Sequence, residues 1–591
     1  MCGIFAYVGG KPAAPQVFAG LRRLAYRGYD SWGVVAQVAS SLQCEKAVGS
    51  VPTLEMEPKV AASVVALGHT RWATHGGVTK ANAHPHLAKD NSFALVHNGI
   101  VENSRELAAA LKKQGHEFIS QTDSEVLVRQ VEQFLTEKLQ LQEALRITAK
   151  RAEGRNTFAV LTLEGVILAV RNGSPLVVGR SSGGEEILLS SDSLSLGAAC
   201  SEILVVENGQ IVQVQDGKVK LFTVSTGKPV KANFAPHQNQ LQDLNKAGYA
   251  HFMLKEIHES AQTLQAVVAQ SQVGLDELSQ AIKNAKTVYT IGSGTAGAAA
   301  AQIGYYLRTI ANVNAISLIG AESQSYWSLF RKGDLIIAPS QSGETADVLE
   351  VLEHAQQKGV KIASYVNMAG SMMTRMSDFP FMAGAGPEVC VMSTKIFLSQ
   401  CAWGFLLAHS VASTYSAGIT QLRSAAAQID ILLADTQLQQ QLRALAKTLA
   451  NSTSLFLLGK GQLMEIAREG MVKIIEGSYV HAHAIPAGDL KHYAITLMQS
   501  GVPVLVLTAQ DAVLKDIESA AHEVSARGAQ VYSLGSASLP MAVAHVEIAD
   551  FGEASALVTI VPVQLLAYYM AVEKGNPLDT PRNIAKSVTV K

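Results

Sequence analysis

The sequence predicts a multidomain chain of mixed α/β and α+β class, rich in short strands at its start and built later from two copies of a parallel-sheet domain. Three observations carry this expectation. Up to about residue 226, short apolar runs alternate with turn residues, as at residues 64–67, 93–96 and 160–170, the last broken by Glu164-Gly165. From Gly227 to about Lys246 the chain turns rich in Lys, Asn, Gln and Pro and loses periodicity, as a linker does. Beyond it, strand, Gly-rich turn and Ala-rich helix alternate, the pattern of a parallel sheet with crossover helices.

The repeat is visible in the letters. VYTIGSG, with Gly292 and Gly294, returns as LFLLGKG with Gly459 and Gly461, and LIIAPSQSGETADVLE is echoed by VLVLTAQDAVLKDIE. The expected organisation is therefore a first domain over residues 1–226, a linker over 227–250, two α/β domains over 251–430 and 431–575, and a polar tail over 576–591. At 591 residues the chain is too long for one hydrophobic core. The two copies differ at one turn. The first has Ser340-Gln341-Ser342-Gly343-Glu344-Thr345, the second Thr508-Ala509-Gln510-Asp511, so the first is suited to an anion.

With 48% hydrophobic and 16% charged residues the composition is globular, and 48 Lys plus Arg against 49 Asp plus Glu gives no reason to expect nucleic acid or an anionic membrane as a partner. The five cysteines (Cys2, Cys44, Cys200, Cys390, Cys401) form no CxxC pair and no zinc-like spacing, so free thiols in a cytoplasmic protein and no metal are expected. The start, MCGIFAYVGG, lacks a basic segment and a long apolar core, so it is not read as a secretory signal. Residues 554–572 carry no charge, but Ser555, Thr559, Pro562, Gln564 and two tyrosines mark a buried core helix rather than a membrane span.

Two constellations carry chemistry. At the start, loss of Met1 would make Cys2 the first residue. Its α-amine, with a pKa of about 8, would serve as a base beside its own thiol. Arg71, in HTRWATHG at residues 69–76, suits a two-pronged grip on a carboxylate. The Asn98 amide and the Gly99 N–H are the usual parts of an oxyanion hole, and Asp123 offers a carboxylate to an amino group. In the later half, Ser340, Gln341, Ser342 and Thr345 lie between an apolar strand and a helix, where backbone N–H groups and the helix dipole favour phosphate. Glu469, Lys473 and Glu476, spaced by four and three, fall on one helix face.

These motifs resemble known families. CGI, YRGYDS, HTRWATHG, NAHPH, HNGI and TDSE are similar to the N-terminal-nucleophile glutamine amidotransferases, whose fold is an αββα sandwich. The resemblance implies that Cys2 attacks the glutamine amide and that Asn98 and Gly99 hold the oxyanion. Arg71 and Asp123 then hold the amino-acid end with Thr74 and His75 nearby, and Trp72 gates the ammonia. SQSGETAD, STK, EG…K..E.SY.HA, GDLKH and PRNIAKSVTV resemble the sugar-isomerase (SIS) half of the glucosamine-6-phosphate synthase family, with two doubly wound domains. That family makes D-glucosamine 6-phosphate and glutamate from L-glutamine and D-fructose 6-phosphate, the first step of hexosamine synthesis, with no organic cofactor.

On this resemblance Ser340, Gln341, Ser342 and Thr345 bind the 6-phosphate, and Thr295, Val391 and Ala585 line the pocket. His492 opens the sugar ring, contributed by the second subunit of a homodimer. Lys586 forms a Schiff base with the ketone, Glu476 moves a proton between C1 and C2, Lys473 stabilises the enolate-like oxygen, and Glu469 sets their charges. The chain departs from the family pattern at Ala296, Ser260-Ala261, Asp489, Tyr493-Ala494 and Thr580. Two other readings fit the residues: an aminotransferase for another keto-sugar phosphate, and a phosphosugar sensor without turnover.

Overall fold

A computed structural model describes residues 2–52, 63–237, 245–270 and 272–589. Met1, residues 238–244 of the expected linker, and the closing Val590 and Lys591 of the tail motif lie outside the described residues. The chain divides into two compact units, residues 1–243 with 585–591, and residues 244–584.

In the first unit, alternation along each strand decides the layers. Ile4, Ala6 and Val8 of strand Gly3–Val8 enter a core shared with Ala94 and Val96 of strand Phe93–Gly99 and with Ala159 and Leu161 of strand Asn156–Thr162. Their neighbours point the other way. Phe5 and Tyr7 pack on helix Ala13–Arg23, while Phe158 and Val160 pack under helices Ser124–Thr136 and Leu141–Arg151. Period-two side chains thus give each strand one face for the opposite sheet and one for a helix. Among the described residues the sheets have eight and seven strands, antiparallel at every recorded pairing, and the architecture is an αββα sandwich.

Part of the expected linker is built into these sheets: Pro229–Val230 pairs with strand Lys218–Thr223, and Ala235–Pro236 with strand Glu202–Val205. Their weak periodicity reflects their exposed edge positions. The end of the tail also packs in this unit, where the Lys586 N–H lies 3.5 Å from the Tyr26 carbonyl and the Ser174 and Thr589 hydroxyls are 3.1 Å apart.

The second unit bears out the repeat. One five-stranded parallel sheet has the order Ala315–Ile319, Val288–Gly292, Leu335–Ser340, Lys361–Val366, Phe379–Met382. The other runs His481–Pro486, Ser454–Gly459, Pro503–Thr508, Gln530–Gly535, Ala544–Glu547, the same order of second, first, third, fourth and fifth strand. Helices cover both faces of the first sheet. Ile336, Ala338 and Ile362 pack on helix Ala346–Gln357, and Leu335, Ile337 and Ala363 face the core that holds helices Thr295–Thr309 and Lys395–Val411. The uncharged segment is helix Ser555–Glu573; it is long and apolar enough to cross a membrane, but 94% of its apolar window is buried in protein. Pro562 sits inside it.

Helix Met464–Ser478 joins this core and lies against Ser555–Glu573 at Gly470. A Cβ on Gly470 would meet Val563 Cγ1 at 2.6 Å and Leu457 Cδ2 at 3.2 Å, and Val563 is fully buried and stiff. Gly470→Ala is therefore expected to cost about 1–3 kcal/mol by overpacking, read as a lower urea midpoint for this unit.

Candidate functional sites

In the first unit Cys2 precedes strand Gly3–Val8 and is bracketed by the residue after strand Val65–Arg71. The Cys2 thiol lies 3.7 Å from the Trp72 carbonyl and accepts the Trp72 N–H at 3.5 Å. Burial pushes the Cys2 thiol above its ordinary range, against the Trp72 N–H and the Arg71 charge, which lower it. A thiol held up in this way needs a base before it attacks.

Arg71 is 2% exposed and its guanidinium donates to the carbonyls of His75 at 2.6 Å, Gly77 at 3.2 Å and Gly76 at 3.3 Å. The loop after the strand thus fixes its planar head, while Thr74 and His75 themselves are exposed. Asp123, which precedes helix Ser124–Thr136, accepts the Val101 N–H through Oδ2 at 2.7 Å, tying it to the loop after Gly99.

Asn98 and Gly99 end strand Phe93–Gly99. Gly99 has φ +147°, and a Cβ there would sit 2.2 Å from the Arg155 carbonyl, so the backbone requires glycine. Asn98 is buried: its Nδ2 donates to Ser191 Oγ at 2.8 Å and its Oδ1 lies 3.2 Å from His69 Nε2. Neither His69 nor Ser191 was singled out from the sequence. His69 stood inside a motif with no role assigned, and Ser191 lies in no motif at all. His84 and His86, of the NAHPH motif, are buried beside His69, with ring centroids 4.2 Å and 4.7 Å apart along the row.

In the second unit the spacing of Glu469, Lys473 and Glu476 puts all three on one face of helix Met464–Ser478, as expected, but the face points inward. Glu469 and Lys473 are 0% and 1% exposed, which excludes a solvated salt-bridge stripe. Lys473 Nζ lies 2.6 Å from Glu476 Oε2 and 3.5 Å from Glu469 Oε1. Thr295, first residue of helix Thr295–Thr309, donates its hydroxyl to Glu469 Oε1 at 3.2 Å, so the two repeats meet at this cluster.

Burial raises the Glu469 carboxyl to about 8, with Lys473 pulling it down and Glu476 pushing it up. Burial alone would lower Lys473, but the Glu469 and Glu476 carboxylates outweigh it and hold the ammonium charged well above its ordinary range. The cluster therefore carries an ammonium, a carboxylate beside it and a carboxyl poised near neutrality, the mixture that proton transfer requires.

The hydroxyl-rich turn follows strand Leu335–Ser340. Ser340 Oγ accepts the Gly343 N–H at 2.9 Å and Ser342 Oγ the Glu344 N–H at 3.2 Å. Thr345 is the N-cap of helix Ala346–Gln357, but its side chain makes no cap hydrogen bond. Gly343 has φ +66°, and a Cβ there would strike Ser371 Oγ at 2.2 Å.

Val391 is buried and donates its N–H to the Asp579 carbonyl at 3.0 Å; Asp579 accepts the Phe252 and Met253 N–H groups at 3.1 Å each. Asn576 Nδ2 donates to Gly477 O at 2.8 Å, and the Arg582 N–H to the Tyr479 hydroxyl at 3.0 Å. The tail is thus tied to the end of the helix that carries Lys473. His492 ends the short turn Leu490–His492 and is exposed, as is Tyr493 at 54%. Ala585 and Lys586 fall with the first unit.

The electrostatics give a test with a definite sign. An unfolded Glu469 ionises near 4.5, whereas the folded one keeps its proton to about 8, so the folded state binds the extra proton between those values and loses stability as pH rises through them. Lys473→Met removes the only ammonium paired with Glu469 and Glu476 among the described contacts. The variant is expected to lose about 3 kcal/mol at pH 9.5, above the folded value of Glu469, and clearly less at pH 6, where Glu469 is protonated with or without the lysine; urea unfolding at the two pH values reads the difference.

Comparison with known proteins agrees with both halves. Residues 57–212 match the glutamine amidotransferase domain family, and residues 281–410 and 448–574 match the SIS domain family twice. Relatives named glutamine–fructose-6-phosphate aminotransferase (isomerizing) align over the full length of both chains, at 34% identity in Caldanaerobacter subterraneus and in Caulobacter vibrioides and 33% in Thermococcus kodakarensis. The solved C-terminal domain of the glucosamine-fructose-6-phosphate aminotransferase of Francisella tularensis superposes with a TM-score of 0.51 at 27% identity, covering 57% of this chain and all of that one. An N-terminal amidotransferase sandwich followed by two parallel-sheet SIS domains, with relatives of the same length throughout, places this chain in the family of isomerizing glutamine–fructose-6-phosphate aminotransferases.

Proposed function

We propose that this chain transfers the amide nitrogen of L-glutamine to D-fructose 6-phosphate, forming D-glucosamine 6-phosphate and glutamate. The observation that carries this is the match over the whole chain to relatives bearing that name, in a sequence that keeps both residue sets. Cys2 attacks the glutamine amide carbon, a thioester forms as ammonia leaves, and water then releases glutamate. Asn98 and Gly99 stabilise the oxyanion, and the burial of Asn98 beside a half-buried Gly99 at a strand end supports this, because fixed donors shielded from water stabilise developing charge best. Arg71 and Asp123 bind the amino-acid end, with Thr74 and His75 at its rim. The guanidinium anchored by three carbonyls supports the assignment of Arg71. Trp72, whose backbone brackets the thiol, gates the released ammonia, which must travel unprotonated and away from water.

At the sugar site Ser340, Gln341, Ser342 and Thr345 take the 6-phosphate, at a strand end leading into a helix N-terminus. Thr295, Val391 and Ala585 line the pocket. His492 opens the ring, Lys586 forms the Schiff base with C2, and Glu476 carries the proton between C1 and C2. Lys473 stabilises the enolate-like oxygen and Glu469 sets the charge. The ion pair between Lys473 and Glu476 at 2.6 Å supports this division, since it sets the ammonium directly beside the proton-carrying carboxylate. The working form is a cytoplasmic homodimer in which His492 serves the neighbouring subunit; its exposure in the single chain supports a role outward.

The test is an assay with glutamine and fructose 6-phosphate that follows glutamate and amino sugar together. Equal amounts of both are expected. Glutamate without amino sugar would point to a different acceptor, with Ala296, Tyr493 and Ala494 as the residues to revert. Cys2→Ala is expected to lower glutamine use by roughly a thousandfold or more and to leave phosphosugar isomerisation intact; loss of both activities would contradict separable sites.

A further inference from the structure

Asn98 can offer an oxyanion either its amide N–H or, after a flip, its carbonyl oxygen, which would repel the developing charge. The two orientations occupy nearly the same space, so packing alone does not choose between them. The hydrogen bonds do. His69 Nε2 lies 2.9 Å from the His97 carbonyl and 3.2 Å from Asn98 Oδ1. A backbone carbonyl only accepts, so Nε2 must carry the proton. With the proton on Nε2, the atom of Asn98 that faces it must be the oxygen. The other end of the amide then turns its Nδ2 to Ser191 Oγ at 2.8 Å.

Ser191 Oγ also accepts the Ile4 N–H at 2.9 Å, and the Ser191 N–H donates to the Ile4 carbonyl at 3.0 Å, two residues after the nucleophile. One Nδ2–H is thus used on Ser191 and the second is left for the substrate. In the flipped amide, His69 would have to give up its Nε2 proton and turn a lone pair on the His97 carbonyl. Burial keeps His69 neutral, with its pKa lowered to about 3, so its one ring proton can reside on Nε2.

We infer that His69 and Ser191 are positioning residues that lock the Asn98 amide in the donating orientation, with the His97 carbonyl as the group that makes the lock one-way. The inference deepens the proposed glutaminase site and rests on Asn98 being its oxyanion donor.

The test is steady-state glutamine hydrolysis by the full chain carrying His69→Ala, His69→Gln, Ser191→Ala, Asn98→Ala and the double variant His69→Ala/Asn98→Ala. His69→Ala and Ser191→Ala are each expected to lower kcat roughly ten- to hundredfold with KM within about twofold; the retained KM and an unchanged thermal midpoint certify folding of the first unit, and phosphosugar isomerisation stays unchanged. His69→Gln keeps a donor on its side chain and is expected to recover most of kcat. Adding His69→Ala to Asn98→Ala is expected to cost nothing further, because the lock has no amide left to hold. If the two losses multiply in the double variant, or if both His69→Ala and Ser191→Ala keep full kcat, the positioning role is overturned. If Asn98→Ala alone keeps full kcat, the oxyanion reading beneath it has failed instead, a distinguishable result.

Discussion

The burial of the Lys473 ammonium against two carboxyl groups is the interaction on which the second unit turns. A charge removed from water is costly unless it is paired and hydrogen-bonded. The pairing needs Glu469 and Glu476 on the same helix, and Glu469 in turn takes a hydrogen bond from Thr295 of the other repeat. The helix that carries the cluster must therefore lie in the core shared by the two sheets, packed against Ser555–Glu573 closely enough that a Cβ at position 470 would strike Val563. The same contacts that bury the lysine bring the repeats together, so the chemistry and the packing of this unit have one origin.

The first unit reaches its chemistry by another route. Its reactive groups stand at strand ends, where backbone leaves the ladder and its carbonyls and N–H groups become available. Arg71 is held by three carbonyls of the loop that follows its strand, the Cys2 thiol by the backbone of Trp72, and Asn98 by one histidine and one serine from two other segments. Such a site is rigid because the sandwich beneath it is, with each strand contributing alternate residues to the inter-sheet core and to the helices.

The two repeats illustrate how duplication leaves room for specialisation. Their sheets share strand order and their first strands end in similar Gly-containing turns, yet only the first carries the Ser340–Thr345 hydroxyl turn and only the second carries the Glu469–Lys473–Glu476 helix. Neither copy holds both. Thr295 of the first repeat reaching Glu469 of the second is the point at which the two copies meet at the buried cluster.

Much was legible in the letters because it is local or periodic. Alternation marked the strands, the returning Gly-rich turns marked the repeat, the spacing of four and three marked one helix face, and polar residues within an uncharged run marked Ser555–Glu573 as a core helix. The short edge strands at 229–230 and 235–236 were read as linker, because two residues paired at an exposed edge leave no pattern. Whether the Glu469 face met water or core was also beyond the sequence, since the same spacing serves both, and only the surrounding helices decide the sign of the Glu469 shift. The partners of Asn98 lie 29 residues before it and 93 after it, in a motif without an assigned role and in no motif at all. Sequence determined which groups are present and which share an element; tertiary structure decided which way a buried amide faces and which carboxyl keeps its proton, because both depend on oxygen and nitrogen atoms brought together from distant strands in a space without water.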